Sequence, residues 1–341
     1  MFLVFWGKTA RMKAGGETMK IVVLDGYALN PGDLSWQALE ENGDVTIYER
    51  TSYTDEAEIV ARIGNAEMIL TNKVPITAEI LAKTPKLRYI GVMATGYNII
   101  DLTAAAQHHI VVTNIPAYST EAVAQFTFAL LLELTSHVGL HNQLVHEGEW
   151  THSPDFTFWR APLVELSGKT LGLVGYGKIA QKVAEIGHAL GMEILYTNHR
   201  PKAPQAEWAQ QVNAPELYKR ADVISLHVPQ TPETTKIINQ ETLVQMKATA
   251  LLVNTARGGL VDEAALAKAL TEKRLAGAAV DVVSSEPITA DNPLLQAPNC
   301  IITPHIAWAP VETRQRLMDI AVANVQQFLA GSPQNQVGGK A

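Results

Sequence analysis

Short apolar runs separated by amphipathic stretches set the rhythm of this chain. Over residues 20–118 the runs are KIVVLD, VTIYE, AEMILTN, RYIGVM and IVVTN. Between them lie LSWQALEEN, DEAEIVARIG, TAEILAK and DLTAAAQHH, which carry helical spacing. Alternation of this kind predicts a parallel sheet with crossover helices. The pattern changes at Ser119. STEAVAQFTFALLLELTSHVGLHNQLVHEGEW reads as one long helix, capped by Ser119 or Thr120, with Glu121 at its positive end. From Ala122 to Leu134 it is apolar nearly all round, which predicts burial on most sides in an interdomain or subunit interface. The loop SPDFTFWRAP follows. Its Phe156, Phe158 and Trp159 fit either an interface arm or an ordinary surface loop. A second alternation begins at Lys169: TLGLVG, EILYTN, DVISLHV, ALLVNTA, AAVDVV and CIITP. The helical VETRQRLMDIAVANVQQFLA closes it, and no further domain is expected after Leu329.

A length of 341 residues suits two domains. The 47% apolar and 18% charged fractions are those of a globular protein. A net charge of −7 supplies no basic field for nucleic acid or an anionic membrane. No apolar run reaches the roughly 20 residues of a membrane span. The one cysteine, Cys300, sits in an apolar run and reads as packing; with no disulfide possible, a cytoplasmic protein is expected. Residues 1–18 read as a disordered extension, because the apolar Met1–Trp6 precedes its charges and is too short for a signal-peptide core. Residues 333–341 read as a tail. No metal site is expected.

Gly175, Gly177 and Ala180 form G-x-G-x-x-A after an apolar strand and at the head of an amphipathic helix. That is the setting of a dinucleotide-binding turn. Gly175 permits the tight turn, Gly177 lets backbone approach a pyrophosphate, and Ala180 is small enough for helix–strand packing. Tyr176, Lys178 and Ile179 complete the loop, and the helix N-terminus favours phosphate. Where an NAD site would place an acid, the chain reads Asn198-His199-Arg200. Arg200 could pair with a 2′-phosphate, helped by His199 or Lys202, or it could be a solvated loop residue. Asn198 could instead bond a plain hydroxyl. NAD(H) and NADP(H) both stay open, with a slight lean to NADP(H).

Three strand ends carry the chemistry. LLVNTARGGLVDE places Arg257, AAVDVVSSEP places Glu286, and CIITPHIAW places His305. A histidine in such a run could be an inert core residue. Beside a nucleotide turn, however, a cation, an acid and a base on consecutive carboxyl ends form a constellation. Pro304 holds Thr303 extended and ends the strand, which puts His305 at the sheet edge.

These segments, with ATGYNIIDL, VVTNIPAYSTEAVAQ and HVPQTPET, resemble the D-isomer-specific 2-hydroxyacid dehydrogenase family from residue 19 to about 330. SPDFTFW and TPHIAWAPVETR are most similar to its glycerate dehydrogenases, the hydroxypyruvate or glyoxylate reductases. The resemblance implies two doubly wound parallel-sheet domains with a cleft between them. A flavodoxin-like substrate domain would span 19–118 plus 306–332, and a Rossmann NAD(P) domain 119–305. It also implies a homodimer joined through 119–160. In the implied reaction hydride reaches C2 of a 2-keto acid. His305 donates the proton, Glu286 fixes and stabilises the imidazolium, and Arg257 grips the carboxylate. Backbone N–H groups of Ala94, Thr95, Gly96 and Tyr97 would bind the acid, and Lys73 would line the pocket. Val228, Pro229 and Thr234 would lie on the adenosine side, Thr255 and Ala256 on the nicotinamide side, and Asp281 would hold the carboxamide. Glu286 argues against a formate dehydrogenase, which has glutamine there. The alternatives are a D-3-phosphoglycerate dehydrogenase, a broad 2-keto acid reductase, or a corepressor-like NADH sensor.

Overall fold

The computed structural model describes residues 18–338, except 201, 203 and 205. Residues 1–17 of the predicted extension over 1–18, and the last tail residues, 339–341, lie outside the described residues. The chain divides into two compact units. One ends at Tyr118 and resumes at Ala309; the other is Ser119–Trp308.

In the first unit, β1 (Lys20–Val23), β2 (Asp44–Ile47), β3 (Met68–Thr71), β4 (Tyr89–Val92) and β5 (Val111–Thr113) form a parallel sheet ordered β2-β1-β3-β4-β5. This is the flavodoxin-like order. β3 and β4 are buried along their whole length, as strands covered by helices on both faces must be. Asp55, Thr77 and Asp101 start three of those helices by accepting the amides of Glu58, Ile80 and Ala104. The helix Val311–Leu329 returns to this unit. Its Arg314 donates to both Asp33 oxygens, at 2.7 and 2.6 Å, and to the Leu29 carbonyl. The paired guanidinium holds the Asp33 carboxyl below its usual range.

The second unit holds β6 (Thr170–Val174), β7 (Glu193–Thr197), β8 (Ala209–Gln211), β9 (Val223–Leu226), β10 (Leu251–Asn254), β11 (Gly277–Val280) and β12 (Cys300–Ile302). Their order is β12-β11-β10-β9-β6-β7-β8, all parallel, the doubly wound dinucleotide-binding order with one strand added. Alternate residues serve opposite cores. Leu252 packs with Leu226 and Val280 on one face, while Leu251 and Val253 pack with Leu171 and Ala279 on the other. The short β8, Ala-Gln-Gln, has no β-rich sequence, and only its pairing with β7 makes it a strand.

The single long helix expected from Ser119 is two helices, Thr120–Ser136 and Val138–His146, bent by 57°. The break is His137, in the left-handed region at φ 47°. Glu133 makes it possible. Its carbonyl accepts the His137 amide, and its carboxylate accepts the Gly139 amide at 3.1 Å. The first helix buries Val123, Ala124, Phe128, Leu131 and Leu134, whereas the second buries none of its residues. No single helix among the described residues is long and apolar enough to cross a membrane. The second unit also keeps residues 306–308, which the sequence reading gave to the first. The amides of Ile306 and Ala307 bond to Asp281, and this ties them to β11.

Candidate active site

β10, β11 and β12 are neighbours, and Asn254, Val280 and Ile302 stand in register at their carboxyl ends. His305 follows β12. Its φ is 56°, an uncommon backbone for a residue with a side chain, costing about 1 kcal/mol or more. The buried Asp281 enforces it. One carboxylate oxygen accepts Thr303 Oγ1 at 2.6 Å and the Ile306 amide at 2.9 Å, and the other accepts the Ala307 amide at 2.8 Å. Donors on both sides of His305 thus fix the turn. The ring is no core histidine. Its side chain keeps 27% of its exposure, and Nδ1 lies 2.7 Å from Glu286 Oε2. A carboxylate only accepts, so Nδ1 carries hydrogen and Nε2 is left for another partner. The other Glu286 oxygen accepts the Val283 amide at 3.3 Å.

Arg257 leaves β10 through a turn closed by the buried Asn254. That side chain donates to the Arg257 carbonyl at 2.9 Å and accepts the Ala256 amide at 3.0 Å. The Arg257 guanidinium is exposed, with Nη1 on the Ala256 carbonyl at 2.6 Å. Behind it, a Cβ on Gly258 would lie 1.9 Å from the Val283 carbonyl carbon and 2.5 Å from the Ser284 nitrogen. The Arg257 turn therefore rests directly on the backbone that leads to Glu286.

Across the same sheet, Gly175 turns the chain after β6 at φ +92°, and a Cβ there would lie 2.6 Å from the His227 carbonyl oxygen. Gly177 caps the helix Lys178–Ala189, and a Cβ on it would meet nothing within 4 Å. Open space thus lies over a helix start whose first N–H groups have no partner within the helix. Ala180 is fully buried behind it. His227, with Nε2 2.9 Å from Ser225 Oγ, is kept neutral: burial pulls its pKa from 6.5 down to about 3. Because the folded-state value is the lower one, His227 gives stability above pH 6.5 that is lost as pH falls toward about 3. His227→Gln should flatten the fall in Tm between pH 7 and 5; an unchanged slope in the variant would reject this account.

Residues 128–307 match the model for the NAD binding domain of the D-isomer specific 2-hydroxyacid dehydrogenases. A hydroxypyruvate reductase of Blautia hydrogenotrophica is 52% identical, over 94% of this chain and 99% of its own length. The chain belongs to the D-isomer specific 2-hydroxyacid dehydrogenase family. A glycerate dehydrogenase of Methylorubrum extorquens is 40% identical, over 94% of this chain and 99% of its own. An NADPH-dependent glyoxylate/hydroxypyruvate reductase of Sinorhizobium meliloti, solved with citrate, superposes with a TM-score of 0.80 at 29% identity, covering 94% of this chain and 97% of that one.

The dehydrogenase's glycine turn fits a dinucleotide, because the space that a side chain on Gly177 would take is open. Several neighbours have other tasks than those expected. The Tyr176 side chain is fully buried and stacks on Tyr196, with ring centroids 3.8 Å apart. Asn198 accepts the Tyr176 amide at 3.4 Å and donates to the Arg200 carbonyl at 3.1 Å, so it braces the loop. Lys202 is spent on the Tyr176 carbonyl at 2.5 Å rather than standing with Arg200. His199, Arg200 and Lys178 are exposed, and Ile179 and Val228 are half-buried. The sequence reading missed Glu233. Thr231 and its own amide, with a smaller contribution from His199, hold its carboxyl low. Thr234 donates to the Pro229 carbonyl at 2.7 Å and accepts the Thr231 amide at 2.8 Å, closing its own turn. Thr255 Oγ1 meets Thr127 Oγ1 at 3.0 Å. Asp281 has no exposed surface and serves the His305 turn. Cys300 is half-buried, and burial pushes its thiol up to about 11, an unreactive state.

In the first unit, the loop after β4 is stitched to the chain beyond β5. Ala94 O accepts the Ile115 amide at 3.0 Å, Thr95 Oγ1 donates to the Ile115 carbonyl at 2.8 Å, and Asn114 Nδ2 donates to Thr95 O at 2.7 Å. Tyr97 and Lys73 are exposed, and Gly96 is half-buried. Asn114 was invisible as a supporting residue, since its partner is 19 positions away.

Proposed function

We propose that this dehydrogenase reduces hydroxypyruvate to D-glycerate, and glyoxylate to glycolate, with NADH or NADPH. The observation that carries the reading is the His305–Glu286 pair at 2.7 Å, one strand end from Arg257 on a nucleotide-binding sheet. The choice of substrate leans on the 52% identity to a hydroxypyruvate reductase.

Bound nicotinamide supplies hydride; the rest of the chemistry lies with the chain's own residues. Arg257 binds the substrate carboxylate through its planar fork. His305 Nε2 holds the proton that the C2 oxygen takes, and Glu286 stabilises the ring as it gains or loses that proton. The backbone of the Ala94–Tyr97 loop binds the substrate acid, and Lys73 lines the pocket. Gly175, Gly177 and the start of the helix Lys178–Ala189 receive the pyrophosphate. Arg200 reads the 2′ position and favours NADPH, with His199 beside it. The protein works as a cytoplasmic homodimer through 119–160, where Phe156 is 89% and Trp159 63% exposed in one chain.

The test follows NADH and NADPH absorbance with hydroxypyruvate, glyoxylate, pyruvate and phosphohydroxypyruvate in parallel. Hydroxypyruvate should be fastest. Silence with all four, from protein that still binds coenzyme, would overturn the reading. Arg200→Ala should weaken NADPH about tenfold and NADH hardly at all, since it removes one charge-assisted bond. Equal weakening of both would show that Arg200 does not read the 2′-phosphate.

A further inference from the structure

A carboxylate sits under the turn that carries Lys73. Asp25 follows β1 and is 5% exposed. One of its oxygens accepts the Asn72 amide at 2.8 Å, and the other accepts the Lys73 amide at 2.6 Å. Burial pushes this carboxyl up, and the Asn72 and Lys73 amides pull it back. A charge at such a depth is costly unless every lone pair it uses does work that a neutral side chain could not do. Here the work is specific. Two successive amides are taken by different oxygens, and an asparagine in the same place would turn an NH2 toward one of them.

The turn is pinned from other sides too. Thr71 Oγ1 accepts the Val74 amide at 3.1 Å. Asn72 Nδ2 donates to the Met93 carbonyl at 2.6 Å, at the entrance to the Ala94–Tyr97 loop. Thr71, Asn72 and Val74 are buried, and Lys73 is exposed. Everything rigid in this turn faces inward, and its one outward group is an ammonium.

We infer that Asp25 is a positioning residue for substrate binding, acting through Lys73, whose direction its carboxylate sets by holding two adjacent amides. The inference rests on Lys73 touching the substrate. Asp25 differs from a residue that merely stabilises the sheet, because its effect should vanish when Lys73 has no charge to direct.

The test is a double-mutant cycle on the full-length enzyme with hydroxypyruvate and NADH. Lys73→Met should raise KM about tenfold, the loss of one bond to a charged group. Asp25→Asn should raise KM about tenfold with kcat within twofold and NADH affinity unchanged. The double variant should match Lys73→Met within twofold, because the interaction can be lost only once. Multiplying effects, near a hundredfold in the double variant, would overturn the inference while leaving Lys73 in its role. An unchanged KM in Lys73→Met would overturn both. If Asp25→Asn does not fold, Thr71→Val loosens the same turn. It should show the same rise in KM, again absent on the Lys73→Met background, while Thr71→Ser restores the parent value; a rise that persists on that background overturns the inference.

Discussion

Glutamine in place of His305 is expected to lower kcat by about 10³-fold, the size of a lost general acid–base, with NADH binding within twofold of the parent. Glutamine keeps the length and can still bond Glu286, but it cannot titrate. The backbone at His305 is left-handed, so strain needs its own control. Asparagine tolerates that conformation better than most residues. His305→Asn should therefore fold as well as the parent and lose as much turnover. Turnover within tenfold of the parent in either variant would remove His305 from the mechanism.

Gly258→Ala should be nearly as damaging, although its added methyl touches no substrate. That carbon would lie 1.9 Å from Val283 C and 2.0 Å from Val283 O, both backbone atoms that cannot rotate away. The Arg257 turn and the segment leading to Glu286 would have to separate. A shift of about 1 Å at reacting groups costs on the order of 10² in rate. Overpacking of this kind costs about 1–3 kcal/mol of stability. Gly259→Ala is the control. Its Cβ would meet the end of the Gln230 side chain, which can move, so activity should stay within a few-fold. Equal kcat/KM for Gly258→Ala and the parent would show that the close approach is not needed.

Several features were legible before any fold was known, each for a local reason. The apolar runs from KIVVLD to CIITP became strands because β-rich residues between amphipathic stretches leave few other solutions. Gly175 and Gly177 announced their turn, since a positive φ and an open approach are demands on single residues. His305 was placed at a sheet edge by Pro304 beside it.

Other features were hidden. β8 carries no strand composition, and the bend at His137 depends on a carboxylate one helical turn back. Asn198, one candidate for a ribose hydroxyl, also braces Tyr176. A sequence displays donors and acceptors but not which of them will be consumed by neighbours.

By itself, then, the sequence determined the α/β class, the nucleotide turn and the types of group on the three candidate strand ends, because periodicity, glycine and proline act over a few residues. The tertiary structure decided what holds those groups in place. Asp25 reaches an amide 47 positions away, and Asp281 reaches one 26 positions away. Gly258 matters because of Val283, in the backbone just beyond the neighbouring strand β11. Such contacts come from strand order and register, and no short stretch of sequence contains them.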